Sequence, residues 1–128
     1  MICVYEDPQG NIWIGTDNGL NLLDAQQIAF MHYLNNPRDP NSLPDNQVNT
    51  IYRDASGTLW VGTSTGLARM DISSGKFYNY SNNPNDPKSL VHDAVMSITE
   101  DKTGRLIVGT LGGLCIYNRE HDLSLIHI

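Results

Sequence analysis

The chain has no long apolar run, few basic side chains and few cysteines, and each shortage excludes a class of protein. No apolar segment approaches the roughly 20 residues of a membrane-spanning helix, and helical periodicity is absent. Eight basic side chains stand against fourteen acidic ones, and the net charge of −6 argues against nucleic acid or an anionic membrane surface as a partner. We therefore expect any ligand to be neutral or cationic rather than polyanionic.

A block of about thirty residues occurs three times in the sequence, at a spacing of 47. Its centre reads WIGT at residues 13–16, WVGT at 60–63 and IVGT at 107–110. A fixed period of this size marks a repeat architecture. The positions that keep their residue type in all three units are Asp7, Asp54 and Asp101; Gly10, Gly57 and Gly104; Gly15, Gly62 and Gly109; Thr16, Thr63 and Thr110; Gly19, Gly66 and Gly113; and Leu20, Leu67 and Leu114.

Each unit reads as four short strands joined by turns. In the second unit, the segments 47–54, 58–63, 67–71 and 76–80 are rich in strand-forming residues, and turns containing glycine separate them. The Asn-Pro and Asp-Pro steps that follow exclude helix and sheet, so they form a surface linker. A four-stranded antiparallel meander in a 47-residue repeat is typical of a β-propeller blade. We predict an all-β fold, a partial β-propeller.

The repeat divides the chain into three units. We assign residues 1–46 to blade 1, with an incomplete first strand, residues 47–93 to blade 2 and residues 94–128 to a partial blade 3. Because both ends fall in mid-repeat, we expect the chain to be a fragment of one larger propeller domain. Residues 123–128 no longer follow the outer-strand pattern of the first two units, so we do not count them as native repeat sequence.

The repeated aspartate stands three residues before a repeated glycine, which is the pattern of a tight turn. A catalytic group is needed once per site, whereas Asp7, Asp54 and Asp101 recur in every unit. We therefore predict that these carboxylates form turns and are neither metal ligands nor acid/base groups. Gly57 is expected to adopt positive φ, and the two tryptophans of the WIGT and WVGT segments are expected to be buried between blades.

The remaining reactive side chains show no arrangement that would support catalysis. The four histidines have no metal-ligand spacing and are expected on the surface: His32, His92, His121 and His127. Cys3 and Cys115 replace small residues at non-equivalent positions, which favours buried free thiols over a disulfide. We predict no catalytic residue, no metal and no cofactor for this chain.

Positions that vary between units are better ligand candidates than those that repeat. On the inner strand, Asn49 matches Met96, and Arg53 matches Glu6 and Glu100. Asn49 and Arg53 are therefore the candidate ligand-binding residues. The aromatic side chains of the outer strands suit either sugar stacking or ordinary sheet packing, and packing is the simpler interpretation. These aromatics are Tyr33, Phe77, Tyr78 and Tyr80.

Residues 51–67, IYRDASGTLWVGTSTGL, resemble the two-component regulator propeller repeat. The pattern of that repeat is an apolar strand, Asp, a turn Gly, Trp-apolar-Gly-Thr and then Gly-Leu. The first two units match it closely, and residues 98–114 lack only the tryptophan. The linkers at 36–43 (NPRDPNSL) and 83–90 (NPNDPKSL) also resemble the inter-blade segment of that family, so the resemblance covers residues 2 to about 119.

The resemblance implies a sensory role for the chain. Such repeats build propellers in the periplasmic sensor region of bacterial hybrid histidine kinases, and in many gut Bacteroidetes these receptors respond to glycan fragments. The implied partners are the remaining blades, neighbouring domains of the parent protein and an oligosaccharide. The sequence itself contains none of the kinase motifs, so the parent kinase and its phosphorelay are implied by the family alone.

Two other function classes fit a propeller fold. An enzyme propeller resembling a lyase or lactonase would place single His, Glu or Asp residues around the central channel to hold a metal. The inner strand has Met96 and Ser97 where such ligands would stand, which favours the sensory reading. A protein-interaction scaffold without a small ligand is the third alternative.

Overall fold

The computed structural model describes residues 2–24, 29–86, 89–90, 92–118 and 124–127, and within these ranges it contains strands and turns but no helix. The strands are β1 (Cys3–Glu6), β2 (Ile12–Thr16), β3 (Gly19–Asp24), β4 (Ala29–Tyr33), β5 (Val48–Arg53), β6 (Leu59–Thr63), β7 (Gly66–Asp71), β8 (Lys76–Tyr80), β9 (Val95–Glu100), β10 (Leu106–Thr110), β11 (Gly113–Asn118) and β12 (Ser124–His127).

These strands form three antiparallel sheets of four strands each, in chain order β1 to β4, β5 to β8 and β9 to β12. The all-β prediction is confirmed, and the strands of the second sheet begin and end within one residue of their predicted bounds. The first strands β1, β5 and β9 lie against one another in succession, so they are the inner strands of the three sheets. Equivalent residues pair alike, as Trp13 with Leu22 and Trp60 with Arg69.

The repeated Gly-Thr step lets neighbouring sheets approach closely. A Cβ atom built on Gly62 would lie 2.6 Å from Val95 Cγ1 of the next sheet, and one built on Gly15 would lie 2.5 Å from Val48 Cγ1. Carbon atoms at these distances overlap, so any side chain here would push the next inner strand away. The glycine is therefore required by packing between the sheets.

Two apolar clusters fill the spaces between neighbouring sheets. Trp13 and Trp60 are each 1% exposed and stand at equivalent places in these clusters, as the sequence analysis expects. The Trp60 ring also contacts Tyr117 of the third sheet, with ring centroids 4.9 Å apart. The cluster between sheets one and two includes Trp13, Leu20, Leu22, Leu43, Val48, Leu59, Val61, Met70 and Phe77; the cluster between sheets two and three includes Trp60, Leu67, Tyr80, Leu90, Val95, Ile98, Leu106, Val108, Cys115 and Tyr117.

The first linker, residues 34–47, runs along the outer edge of the second sheet. The backbone N–H of Phe77 in β8 donates to the carbonyl of Asn41 (2.8 Å), so the linker occupies part of an edge that would otherwise be unpaired. The Ser42 hydroxyl closes the linker on itself by bonding the carbonyls of Asn36 (3.0 Å) and Asp39 (2.9 Å). Leu43 is then fully buried, so the linker is anchored in the core.

The third sheet differs from the partial blade that the sequence predicts, because β12 completes it. Strand pairing needs only an extended backbone beside the edge of β11 and does not need the missing aromatic pattern. The pairing is nevertheless altered. Leu20 pairs with Tyr33 and Leu67 with Tyr80, whereas His127 pairs with Cys115 and not with the equivalent Leu114. Residues 123 and 128 of the tail lie outside the described residues.

Candidate functional site

In the first two units, the repeated aspartate forms hydrogen bonds both within its own turn and to the tryptophan. Asp54 Oδ1 accepts hydrogen bonds from the backbone N–H groups of Ser56 (3.0 Å) and Thr58 (3.0 Å), while its Oδ2 accepts one from Trp60 Nε1 (2.8 Å). In the first unit, Asp7 makes the same bonds, including one from Trp13 Nε1 (3.2 Å). The carboxylate therefore joins the turn to the core tryptophan six residues later.

The third unit keeps the turn but replaces the tryptophan bond. Asp101 Oδ1 accepts from the backbone N–H of Thr103 (2.9 Å) and of Arg105 (2.9 Å), and the Arg105 Nε donates to Oδ2 (2.7 Å). A guanidinium thus stands where the first two units use an indole. Sequence reasoning assigned the turn but missed the indole bond, although the loss of tryptophan together with the arrival of Arg105 in one unit is a signal for it.

The carboxyls of Asp7 and Asp101 are not poised for proton transfer. Burial of Asp7 raises its pKa, but hydrogen bonds from Asn11, Trp13 and Gln9 outweigh burial and leave the pKa below its ordinary value. The Thr103 hydroxyl and Arg105 lower the pKa of Asp101 strongly. A general acid needs the opposite shift, towards neutral pH. The arrangement is a structural clamp.

The two candidate ligand residues lie at opposite ends of β5. They are four residues apart, about 13 Å in an extended strand, so the structure does not bring them into one site. Arg53 Nη1 donates to Gln9 Oε1 of the first sheet (3.1 Å), and the guanidinium therefore serves an inter-sheet contact.

Asn49 is the extra residue of a β-bulge, since the register shifts between Val48 and Thr50. Its side chain is 6% exposed, and Nδ2 donates to the Val95 carbonyl of the third sheet (3.0 Å). Met96 is the bulge residue of β9, at the equivalent place. The Asn49 amide thus ties two inner strands together, and its Oδ1 has no hydrogen-bond partner among the described residues.

Glu100 makes a second bridge between sheets two and three. Its Oε1 accepts hydrogen bonds from the Tyr52 hydroxyl (3.1 Å) and from the Ala55 backbone N–H (2.8 Å). Burial and the Glu100 carboxylate both raise the pKa of Tyr52, so the phenol stays a donor. The variable inner-strand position of Arg53 and Glu100 therefore contacts neighbouring sheets, which sequence comparison between units did not reveal.

The histidines and cysteines are scattered. His32 is exposed, with Nε2 2.8 Å from the Asn18 carbonyl, and His92 is exposed, with Nδ1 accepting from the Ala94 N–H (3.0 Å). Both cysteines are free thiols. His121 lies outside the described residues. Within the described part of the chain, no three His, Cys, Asp or Glu side chains lie close enough to hold a metal ion, and no helix is long and apolar enough to cross a membrane.

The second sheet carries a polar groove of about 520 Å³. Arg69 and Tyr78 form one wall, with the guanidinium carbon 4.8 Å from the ring centroid. The sequence analysis named Tyr78 among four aromatics but missed Arg69, although an arginine where the other units have Leu22 and Ile116 is a visible exception. The residues that shape the groove are Thr58, Arg69, Asp71, Ile72, Ser73 and Tyr78.

The family comparison agrees with the geometry of the sheets. The two-component regulator propeller family matches residues 1–18 and 42–65. The crystal structure of the extracellular domain of a hybrid two-component system from B. thetaiotaomicron is 35% identical, with a TM-score of 0.81 over 98% of this chain. Residues 1–18 and 42–65 carry two-component regulator propeller repeats. The whole chain spans 17% of that relative's chain.

More distant structures show the same fold. The extracellular domain of a one-component system from B. thetaiotaomicron is 20% identical, with a TM-score of 0.51 over 97% of this chain and 23% of its own. PorZ, a surface component of the type-IX secretion system of Porphyromonas gingivalis, is 14% identical, with a TM-score of 0.66 over 98% of this chain and 20% of its own. No curated protein sequence matches the chain.

Proposed function

We propose that the chain is a non-enzymatic, ligand-binding segment of the extracytoplasmic sensor domain of a bacterial two-component receptor. The observation that carries the proposal is the 35% identity, at a TM-score of 0.81, to the extracellular domain of a hybrid two-component system. The chain spans 17% of that relative. We therefore also propose, and do not infer from the chain itself, that it lies in the periplasm and that its receptor signals through a kinase and a phosphorelay.

The burial of one repeated leucine supports a larger propeller. Leu20 and Leu67 are fully buried against the next sheet, whereas Leu114 at the same position is 47% exposed. Val4, on the far face of the first sheet, is 65% exposed. Apolar faces of this kind are normally covered in a folded domain. Further blades of the same type, on both sides of the chain, would cover them.

The proposed ligand class is an oligosaccharide. The net charge of −6 disfavours a polyanion, and the chain offers a polar groove with an aromatic wall. The test is a calorimetric titration of the complete extracytoplasmic domain with a panel of neutral oligosaccharides. We expect saturable binding of at least one oligosaccharide, released unchanged. Hydrolysis or elimination of the bound sugar, or the absence of binding throughout the panel, would overturn the proposal.

The enzyme alternative has its own test. A lyase-like or lactonase-like propeller would hold a metal by single carboxylates or histidines on the inner strands, and here the bulge positions of β5 and β9 are Asn49 and Met96. We expect elemental analysis of the purified protein to show no stoichiometric zinc or calcium. One equivalent of either metal, retained through dialysis and required for turnover, would favour the enzyme.

A further inference from the structure

One pair of cross-strand residues sets the second unit apart from the first. Arg69 in β7 pairs directly with Tyr78 in β8, and the equivalent pair in the first sheet is Leu22 with Met31. Both pairs lie on the face that carries the tryptophan, towards the next sheet. The first sheet therefore has an apolar pair at this position, and the second sheet has an arginine and a tyrosine. An apolar pair is sufficient for packing between blades, so packing alone does not explain the arginine and the tyrosine.

A groove of a size that suits a small ligand lies beside the exchanged pair. The groove beside Arg69 and Tyr78 measures about 520 Å³, within the roughly 300–1,000 Å³ typical of small-molecule sites. Tyr78 is 40% exposed and presents part of its ring to solvent. The guanidinium packs over that ring at 4.8 Å, which fixes the orientation of both side chains.

The groove mixes donors, acceptors and an aromatic surface. Arg69 supplies N–H donors, and the Asp71 carboxylate supplies acceptors and is fixed in place by the backbone N–H (3.1 Å) and hydroxyl (2.8 Å) of Ser73. The Thr58 hydroxyl can act as a donor or as an acceptor. Sugar hydroxyls donate and accept at once, and the C–H face of a pyranose packs well on an aromatic ring. A carboxylate in the groove and an acidic chain both disfavour polyanions.

We propose that this groove is a saccharide subsite, in which Tyr78 packs on the sugar ring while Arg69 and Asp71 bond its hydroxyls. The inference rests on the proposed sensory function and assigns it a location. It also replaces Asn49 and Arg53 as the ligand-contacting residues, because their side chains serve contacts between sheets.

The matched variants come from the chain itself. Arg69→Leu and Tyr78→Met install the residues of the first unit at the equivalent positions, so the double variant is expected to fold. Tyr78→Phe keeps the ring, and Arg38→Leu removes one exposed cation from the first linker, away from the groove. Each is made in the complete extracytoplasmic domain and titrated calorimetrically with glucose, galactose, mannose, fructose and their disaccharides. Circular dichroism and thermal unfolding confirm folding.

We expect the double variant to bind the preferred saccharide about tenfold more weakly or worse, while Tyr78→Phe and Arg38→Leu stay within about twofold of the wild type. Equal affinity of the double variant and the wild type would overturn the groove assignment and leave the sensory function standing. Failure of the wild type to bind any saccharide of the panel would overturn both. Loss of binding in Arg38→Leu as well as in the double variant would also count against the groove.

Discussion

At the scale of single residues, the chain repeats a structural clamp instead of a reactive group. The Asp7 and Asp54 carboxylates each satisfy backbone donors of a turn and the indole N–H of a buried tryptophan. Recurrence in every unit already predicts a structural role. The indole bond was missed, although the third unit, which loses the tryptophan and gains Arg105, carries a signal for it. Its geometry depends on how the turn folds back over the strand that follows it.

The lowered pKa of Asp7 predicts sensitivity to acid. The bonds from Asn11 and Trp13 stabilise the ionised carboxylate in the folded state, so its contribution is complete above the ordinary aspartate pKa, about 3.9, and is lost as the pH falls through the lower folded value. Asp7→Asn removes this titration. We expect urea unfolding to show a stability gap between wild type and variant at neutral pH that narrows below about pH 4. A gap that stays constant to pH 2 would contradict the clamp.

Gly57 provides a second residue-scale test, because its φ of 90° follows the Asp54 turn as predicted. A Cβ at this position has room, with Arg53 Nη2 at 3.5 Å as its nearest neighbour, so the cost of substitution comes from the backbone. We expect Gly57→Val to destabilise the fold by about 1–2 kcal/mol and Gly57→Asn by less, since asparagine tolerates positive φ better. Equal losses in denaturant unfolding would show that φ is not the cause.

At the scale of elements, the strands follow from local sequence and the linkers do not. Strand-forming residues and glycine turns place the strands of the second sheet to within one residue. The Pro-rich linker was expected to be a plain surface connection, yet Leu43 and Leu90 are fully buried. A single leucine beside prolines gives no periodic signal, so its burial depends on tertiary packing against the next sheet.

The first linker should therefore contribute measurably to stability. Leu43→Ala removes a fully buried side chain, and such changes typically cost about 2–5 kcal/mol. Leu34→Ala, in the same linker but 43% exposed, is the matched control and should cost no more than about 0.5 kcal/mol. Urea unfolding of both variants measures the difference. If the two leucines proved equivalent, the linker would not be anchored as described.

At the scale of the whole molecule, the repeat predicts the fold class, but the site needs the three-dimensional structure. Asn49 and Arg53 were chosen because they vary between units, and the same criterion applied to Arg69 and Tyr78 would have found the groove. It was missed because the groove is formed by the turn before β6, by β7 with the turn after it, and by β8. Sequence alone does not show which variable positions share a face. The extra strand β12 was missed for a related reason, since edge pairing depends on the backbone.

The exposed apolar faces predict how the isolated chain behaves. Val4 and Leu114 are exposed on opposite outer faces, whereas the two leucines equivalent to Leu114, Leu20 and Leu67, are fully buried between sheets. We expect the 128-residue chain, expressed alone, to self-associate in a concentration-dependent way, because each face matches the other. Sedimentation velocity over a range of concentrations measures this. A monodisperse monomer that melts cooperatively at every concentration would argue against further blades.

The most direct test of the sensory function is the phosphorylation state of the intact receptor in membrane vesicles, with and without the saccharide that its extracytoplasmic domain binds. We predict that the saccharide changes receptor phosphorylation and is recovered unaltered, and that Arg69→Leu with Tyr78→Met shifts the response to higher saccharide concentration. Phosphorylation that does not respond to a bound saccharide, or conversion of that saccharide to product, would contradict the account.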